Sequence, residues 1–362
     1  MGTYIKIKPK QISKPNNTLT IKLFNQMNNN NVFSPLSIIF ALSLLHLSAF
    51  GNTENELSNL FNYKYSINEL QQIYTIFNND IMNLANALII NNKYKINEQY
   101  LTSIKNLALI VHTDFNSTNS TNIIVNDVNE YIKTNTKNLI KDILKHDDIN
   151  DNTISILINT IYFKAQWLHK FKANNTDKEL FKPTNKMVDM MYQKEEFNYY
   201  ENELLQLVEL LYENNDYCMG FLLPKSTKNY DIPKFNMNEL NKYIANLQYK
   251  KVKLYIPKFK HRKTIRLIPL LEQLGVHDIF TNKAQLNIAK NICVSNIIHE
   301  AVVIIDELGT EAAATTIVMM ELMAMPPTKE DPIIFKADHP FIYYIRHRPS
   351  NMILFYGDYR NE

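Results

Sequence analysis

Residues able to do catalytic chemistry are present in this chain, but not at catalytic spacings. The nine histidines follow no metal-ligand pattern, and His299-Glu300 is followed by Ala301-Val302-Val303 rather than by the second histidine of a zinc-protease helix. No nucleophile elbow, phosphate-cradling glycine loop or Cys-x-x-Cys pair occurs. Cys218 and Cys293 stand in apolar runs and read as free thiols, so the fold is not expected to depend on a disulfide. These patterns point away from an enzyme and call for no cofactor and no metal.

Two other features ask for a physical explanation. Asn159 sits in the apolar alternation Ile154, Ile156, Ile158, which reads as a long strand, and an unpaired buried amide there costs roughly 1–3 kcal/mol. It needs a partner. The second feature is the stretch Asp306 to Met325, DELGTEAAATTIVMMELMAM, which stops at Pro326-Pro327. At a period of two, Thr310, Ala312, Ala314 and Thr316 form a small, uncharged face continued by Val318, Met320 and Leu322, while Glu311 and Glu321 fall on the opposite face. Its alanines equally suit a helix. The stretch is poised between two conformations.

The elements that must position these residues follow from periodicity and caps. Thr18 to Met27 spaces its apolar residues as a short amphipathic helix. Ser34 with Pro35 starts a helix that is apolar all round to Ala49, and Thr53 with Glu56 fits a second capped start. Leu60 to Ala85 is helical in pattern, Ala87 to Ile90 reads as a strand, and Thr102 to Val111 reads as a helix. Val252 to Phe259 alternates as a strand, and Gly275 closes a later helix.

Glu307-Leu308-Gly309-Thr310-Glu311-Ala312-Ala313-Ala314-Thr315-Thr316 resembles the hinge of a serpin reactive-centre loop, and Phe335 to Phe341 resembles the signature that follows it. Ser34, Pro35 and Ser37, together with Asn159, Phe163, Lys164 and Trp167, match further serpin motifs, so the resemblance spans Thr18 to Tyr359. It implies an α+β serpin fold: three β-sheets with a large central mixed sheet, eight or nine helices, and an exposed loop over about residues 307–334. One domain, 18–362, would follow an N-terminal extension, 1–17. Leu308 departs from the polar residue usual at its position.

The resemblance also implies function. The loop is a bait that inserts after cleavage as a central strand, with Glu307, Gly309, Thr310, Glu311, Ala312, Ala313, Ala314, Thr315 and Thr316 as hinge. Family spacing counts seventeen residues from Glu307 to place the scissile bond at Met323-Ala324, flanked by Leu322 and Met325. Ser34, Ser37, Asn159, Trp167 and His299 would govern opening of the sheet, His299 being by analogy the partner of Asn159. An unbranched apolar Met323 suits chymotrypsin-like proteases, cathepsin G and elastases among them; a pocket with a buried carboxylate would lose its ion pair. The expected activity is suicide inhibition, with a non-inhibitory carrier or chaperone, or a cysteine protease inhibitor, as alternatives.

Charge and targeting add exclusions. A formal net charge of +3 in 362 residues gives no reason to expect nucleic acid as partner, and no uncharged apolar segment approaches membrane-helix length. The basic residues from Lys250 to Arg266 read first as a solvated edge, with glycosaminoglycan binding as the weaker reading. The first seventeen residues lack a signal-peptide core, so a monomer that is cytoplasmic or secreted without a cleavable signal is expected. Abundant Asn, Ile, Lys and Tyr beside six Gly fits an AT-rich genome, such as that of a protist or a large DNA virus.

Overall fold

The computed structural model describes residues 9–115, 117–226, 228, 230–310 and 331–362. Among them are eight α-helices: α1 (Pro9–Gln26), α2 (Pro35–His46), α3 (Gly51–Phe61), α4 (Ile67–Phe77), α5 (Glu98–Ile104), α6 (Thr118–Asn135), α7 (Met237–Ala245) and α8 (Ile268–Gln273). The strands are β1 (Val32–Phe33), β2 (Met82–Asn91), β3 (Leu109–Thr113), β4 (Ser155–Phe163), β5 (Ala165–Gln166), β6 (Thr176–Phe181), β7 (Lys186–Glu201) and β8 (Leu205–Leu211). They continue with β9 (Tyr217–Pro224), β10 (Gln248–Pro257), β11 (Phe259–Arg266), β12 (Asn296–Ile305), β13 (Gly309–Thr310), β14 (Ile333–Lys336), β15 (Phe341–His347) and β16 (Met352–Tyr359). The class is α+β. Contacts divide the chain into two interleaved units, one of residues 1–163, 261–302 and 346–357, the other of 164–260, 303–345 and 358–362.

In the first unit the mixed sheet runs β3–β2–β4–β12: β2 is parallel to β3 and antiparallel to β4, and β4 is parallel to β12. β4 is buried along its whole length. Strands covered on both faces read as near-continuous apolar runs, which is why Ile154 to Phe163 carries so few polar residues. α2 packs against β4, and α6 against β2 and β3. The Ser34 hydroxyl accepts from the Ser37 amide, 3.2 Å, and Pro35 fills the first turn, so α2 starts where the sequence starts it.

Four local expectations change. The helical reading of Leu60 to Ala85 holds only to Phe77, because Met82 to Ala85 already pair with β4 as part of β2. The helix expected from Thr102 to Val111 is split, because Leu109–Thr113 pairs in parallel with β2 from Ala87 to Asn91 and the ladder outweighs weak propensity. Thr53 caps no helix: α3 already begins at Gly51, and the Thr53 hydroxyl accepts from the Gln285 amide, 3.0 Å, while Glu56 accepts from the amides of His277 and Asp278. The first helix begins at Pro9, ahead of residue 18. Asn16 and Asn17 are buried in it, donating to the carbonyls of Ile353 (2.8 Å) and Asn351 (2.6 Å).

In the second unit the order is β15–β9–β8–β7–β10–β14, with β6 on β7. Among the described residues the strands form two sheets by hydrogen bonding, where three were expected. The physical reason lies in β7, whose sixteen residues pair with β6 at one end, β10 through the middle and β8 at the other, fusing two expected sheets. Phe259, Phe341, Tyr343 and Tyr359 pack an aromatic core beneath it. Gly220 must lack a side chain, since a Cβ would meet the Tyr344 ring at 2.2 Å.

Candidate functional site

In the first unit Ser34, His299, Asn159 and Asn86 are joined into one chain of buried hydrogen bonds. β4 and β12 are direct neighbours from Ile156 to Ala301, and the register sets His299 opposite Asn159. The backbone amide of Ser34 can only donate, so His299 Nε2, 3.0 Å away, is the unprotonated nitrogen. Nδ1 therefore carries the proton and donates to Asn159 Oδ1, 2.8 Å. The Asn159 amide donates to Asn86 Oδ1, 2.6 Å, and Asn86 donates to the Leu107 carbonyl, 3.4 Å. Ser37 donates to the Thr160 carbonyl, 3.3 Å. Complete burial holds the His299 imidazole neutral, pushing its pKa down to about 3.

Sequence reasoning missed Asn86. It stands on β2 one residue ahead of the stretch that alternation marks as a strand, and its signal was an amide within an otherwise apolar ladder. Ser34, Ser37, Asn159 and His299 are thus brought together by three elements and the turn before α2. Trp167 belongs to the other unit.

There, the chain leaves β12 through a tight reversal. The Asp306 carboxylate accepts from the amides of Leu308 (2.8 Å) and Gly309 (3.1 Å), and its backbone amide donates to the Gly309 carbonyl (3.0 Å). Trp167 fixes the same turn twice, donating its backbone amide to Leu308 O (2.9 Å) and its indole to Asp306 O (3.0 Å). Gly309 then lies on the backbone of β5, where a Cβ would meet the Ala165 carbonyl at 2.2 Å. Glu307 is tied down by Lys258 (2.8 Å) and the Thr176 hydroxyl (2.9 Å); burial pushes its pKa up, but these partners outweigh it and the carboxyl stays below its usual range.

Thr310 is the first residue of the small-residue face, and it is already seated. It pairs with Ile305 on one side and Ala165 on the other, and is only 1% exposed. Its hydroxyl meets that of Tyr212 at 2.6 Å, and the Tyr212 ring is stacked on Trp167 at 4.6 Å and 10°. Sequence reasoning gave Tyr212 no role. Glu311, Ala312, Ala313, Ala314, Thr315, Thr316, Leu322, Met323, Ala324 and Met325 lie outside the described residues.

Lys258 is paired with Glu307, Arg262 with Glu300 and Arg266 with Asp148, each through side chains on different elements. Both cysteines are free thiols. Among the described residues no group of three or more His, Cys, Asp and Glu is arranged to hold a metal, and no helix is long and apolar enough to cross a membrane.

Known proteins are similar to this chain over nearly its whole length. The family described as "Serpin (serine protease inhibitor)" matches residues 14–362. An uncharacterised serpin-like protein of Acanthamoeba polyphaga mimivirus is 46% identical over 361 residues, covering 97% of this chain and 90% of that one. The leukocyte elastase inhibitor of Sus scrofa is 32% identical over 378 residues, covering 96% and 98%. Among solved structures, human thyroxine-binding globulin complexed with its hormone superposes with a TM-score of 0.84 at 25% identity, over 97% of this chain and 98% of that one.

Proposed function

The chain belongs to the serpin family, and on that premise we propose that it traps chymotrypsin-like serine proteases covalently, acting as a monomer. The observation that carries the reading is the pairing of Thr310 between Ile305 and Ala165. The first residue of the small-residue face is thus already held as a strand residue.

In the proposed sequence the protease serine attacks the Met323 carbonyl. The Met323–Ala324 bond breaks, the new amino terminus at Ala324 takes the proton, and Met323 is left as an ester on the protease. The fourteen residues from Thr310 to Met323 then enter between β4 and β12 as a strand, about 45 Å long at roughly 3.3 Å per residue. That carries the acylated protease along the sheet and distorts it before water hydrolyses the ester. The face that turns inward, Thr310, Ala312, Ala314 and Thr316, is small and uncharged, so insertion buries no unpaired charge. Entry requires β4 and β12 to part, and the His299–Asn159 bond, supported through Asn86, is the latch on that step.

A carrier without inhibitory activity is the second reading, supported by the likeness to thyroxine-binding globulin and by Leu308 in place of a polar hinge residue. One experiment separates the two. The protein is mixed with chymotrypsin and with cathepsin G and resolved on denaturing gels with mass spectrometry. A band at the summed mass with a released fragment beginning at Ala324 is expected. Clean cleavage after Met323 without that band would replace inhibition by the carrier reading.

A further inference from the structure

In the first unit α5 and β3 line the two sides of a groove. The helix ends at Ile104, whose carbonyl accepts from the amides of Leu107 (2.8 Å) and Ala108 (3.2 Å), and this turn sends the chain back into β3. Glu98, Leu101 and Lys105 stand at i, i+3 and i+7 and form one helical stripe, while Ile110 and His112, two apart on a strand, share one face of β3. With Lys95 and Ile96 they line a cavity of about 480 Å³, a volume in the range that takes a small molecule. Its walls are preformed. Ile96 makes a β-bridge to Ala289, the next amide, Asn97, donates to the Ile288 carbonyl (2.8 Å), and His112 Nε2 donates to the Tyr94 carbonyl (3.0 Å), tying β3 to the chain that enters α5.

The lining is divided in character. Ile96, Leu101 and Ile110 are apolar; Ile96 is buried and the other two are half-buried, so part of their surface still faces water. Lys95 and Lys105 are exposed, and among the described residues neither stands in an ion pair. Glu98 belongs to the first turn of α5, where the helix dipole favours a carboxylate. Covering the half-buried apolar surface is favourable, and two cations without protein partners can form charge-assisted hydrogen bonds with an anion.

We propose that this groove binds a small organic monoanion, a carboxylate on a hydrocarbon body. The body lies on Ile96, Leu101 and Ile110, and the carboxylate is answered by Lys95 and Lys105. Charge complementarity selects this occupant over others. A sulfated polysaccharide would bring charge without an apolar body and leave Leu101 and Ile110 wet, whereas a neutral lipid would leave both ammoniums unanswered. Glu98 repels a second anionic group on the ligand, which favours a monoanion over a dianion. No residue of the loop or of the latch takes part, so this binding function is independent of the inhibitory reading.

The test is calorimetric titration of the full chain with octanoate, octanol and acetate. Octanoate is expected to bind at one site about tenfold more tightly than octanol, which lacks the charge, and more tightly than acetate, which lacks the body. Lys95→Ser/Lys105→Ser replaces two exposed side chains without ion pairs and so keeps the fold. It is expected to bring octanoate down to the affinity of octanol and to leave octanol unchanged. Hydrogen exchange locates the site: octanoate should slow the amides of α5 and β3. Octanol binding as tightly as octanoate overturns the proposal. So does octanoate binding that the double lysine variant leaves unchanged, protection confined to other elements, or the absence of octanoate binding by the unaltered chain. Each of these results leaves the protease-trapping experiment above untouched, so the two readings fail separately.

Discussion

The hydroxyls of Tyr212 and Thr310 meet at 2.6 Å while the Tyr212 ring is stacked on Trp167, joining the first residue of the small-residue face to a side chain 98 residues away in sequence. The seat is closed on all sides: Ile305 and Ala165 flank Thr310, and the Tyr212 hydroxyl also lies 3.7 Å from Met219 sulfur. Under the proposed mechanism, side chains that fit this seat allow insertion to begin and others stop it at its first step.

Thr310→Arg would place a cation where the native residue is buried, at a cost of several kcal/mol if it enters unpaired. The expected outcome is a switch from covalent complex to cleaved product, read as the ratio of the two bands on a denaturing gel.

Tyr212→Phe keeps the ring stack and removes the hydroxyl, leaving Thr310 without that partner. A loss of about 1 kcal/mol is expected. For a chain of this size the Tm should fall by about 2 °C, read by calorimetry, and limited proteolysis should cut faster after Gly309.

Asn159→Ala orphans two buried groups at once, the His299 Nδ1 proton and Asn86 Oδ1. Each is expected to cost about 1–3 kcal/mol. Asn86→Ala likewise orphans the Asn159 amide and the Leu107 carbonyl, the latter from a longer 3.4 Å bond, so a somewhat smaller loss is expected by denaturant titration; no loss at all would contradict the chain of bonds described above.

The pH dependence follows from His299. Its folded pKa is depressed to about 3 from the ordinary 6.5, so the unfolded chain binds the extra proton first as pH falls. Stability from this group is complete above pH 6.5 and declines progressively toward pH 3. His46, whose pKa burial lowers to about 4, acts in the same direction. His299→Gln should flatten part of the acid limb of a denaturation curve measured against pH, and His46→Gln a further part, the carboxylates with lowered pKa such as Glu307 contributing the rest.

The Glu307–Lys258 pair should be separable by a double-mutant cycle. Lys258 is partly exposed, so solvent screens the pair and a coupling of about 1 kcal/mol is expected. Glu307→Lys alone sets two cations at the base of the loop and should destabilise more than Glu307→Gln. Combining it with Lys258→Glu should recover most of the loss.

Several features were legible without the fold because their causes are local. Ser34 followed by Pro35 is a helix start on any scaffold, and α2 begins there. An amide in the apolar run Ile154 to Phe163 had to be paired, whatever the partner. Periodicity was less informative where two structures compete: Thr102 to Val111 carries enough helical spacing to read as helix, yet its second half is claimed by the ladder with β2.

The sequence by itself determined the family, the class and the need for a partner at Asn159, because motifs, caps and unsatisfied amides are properties of short stretches. The tertiary structure alone decided that Asn86 extends the His299–Asn159 bond and that Tyr212 seats Thr310. Each of these pairs is separated by tens of residues, and strand register, which no local spacing encodes, sets which side chains meet.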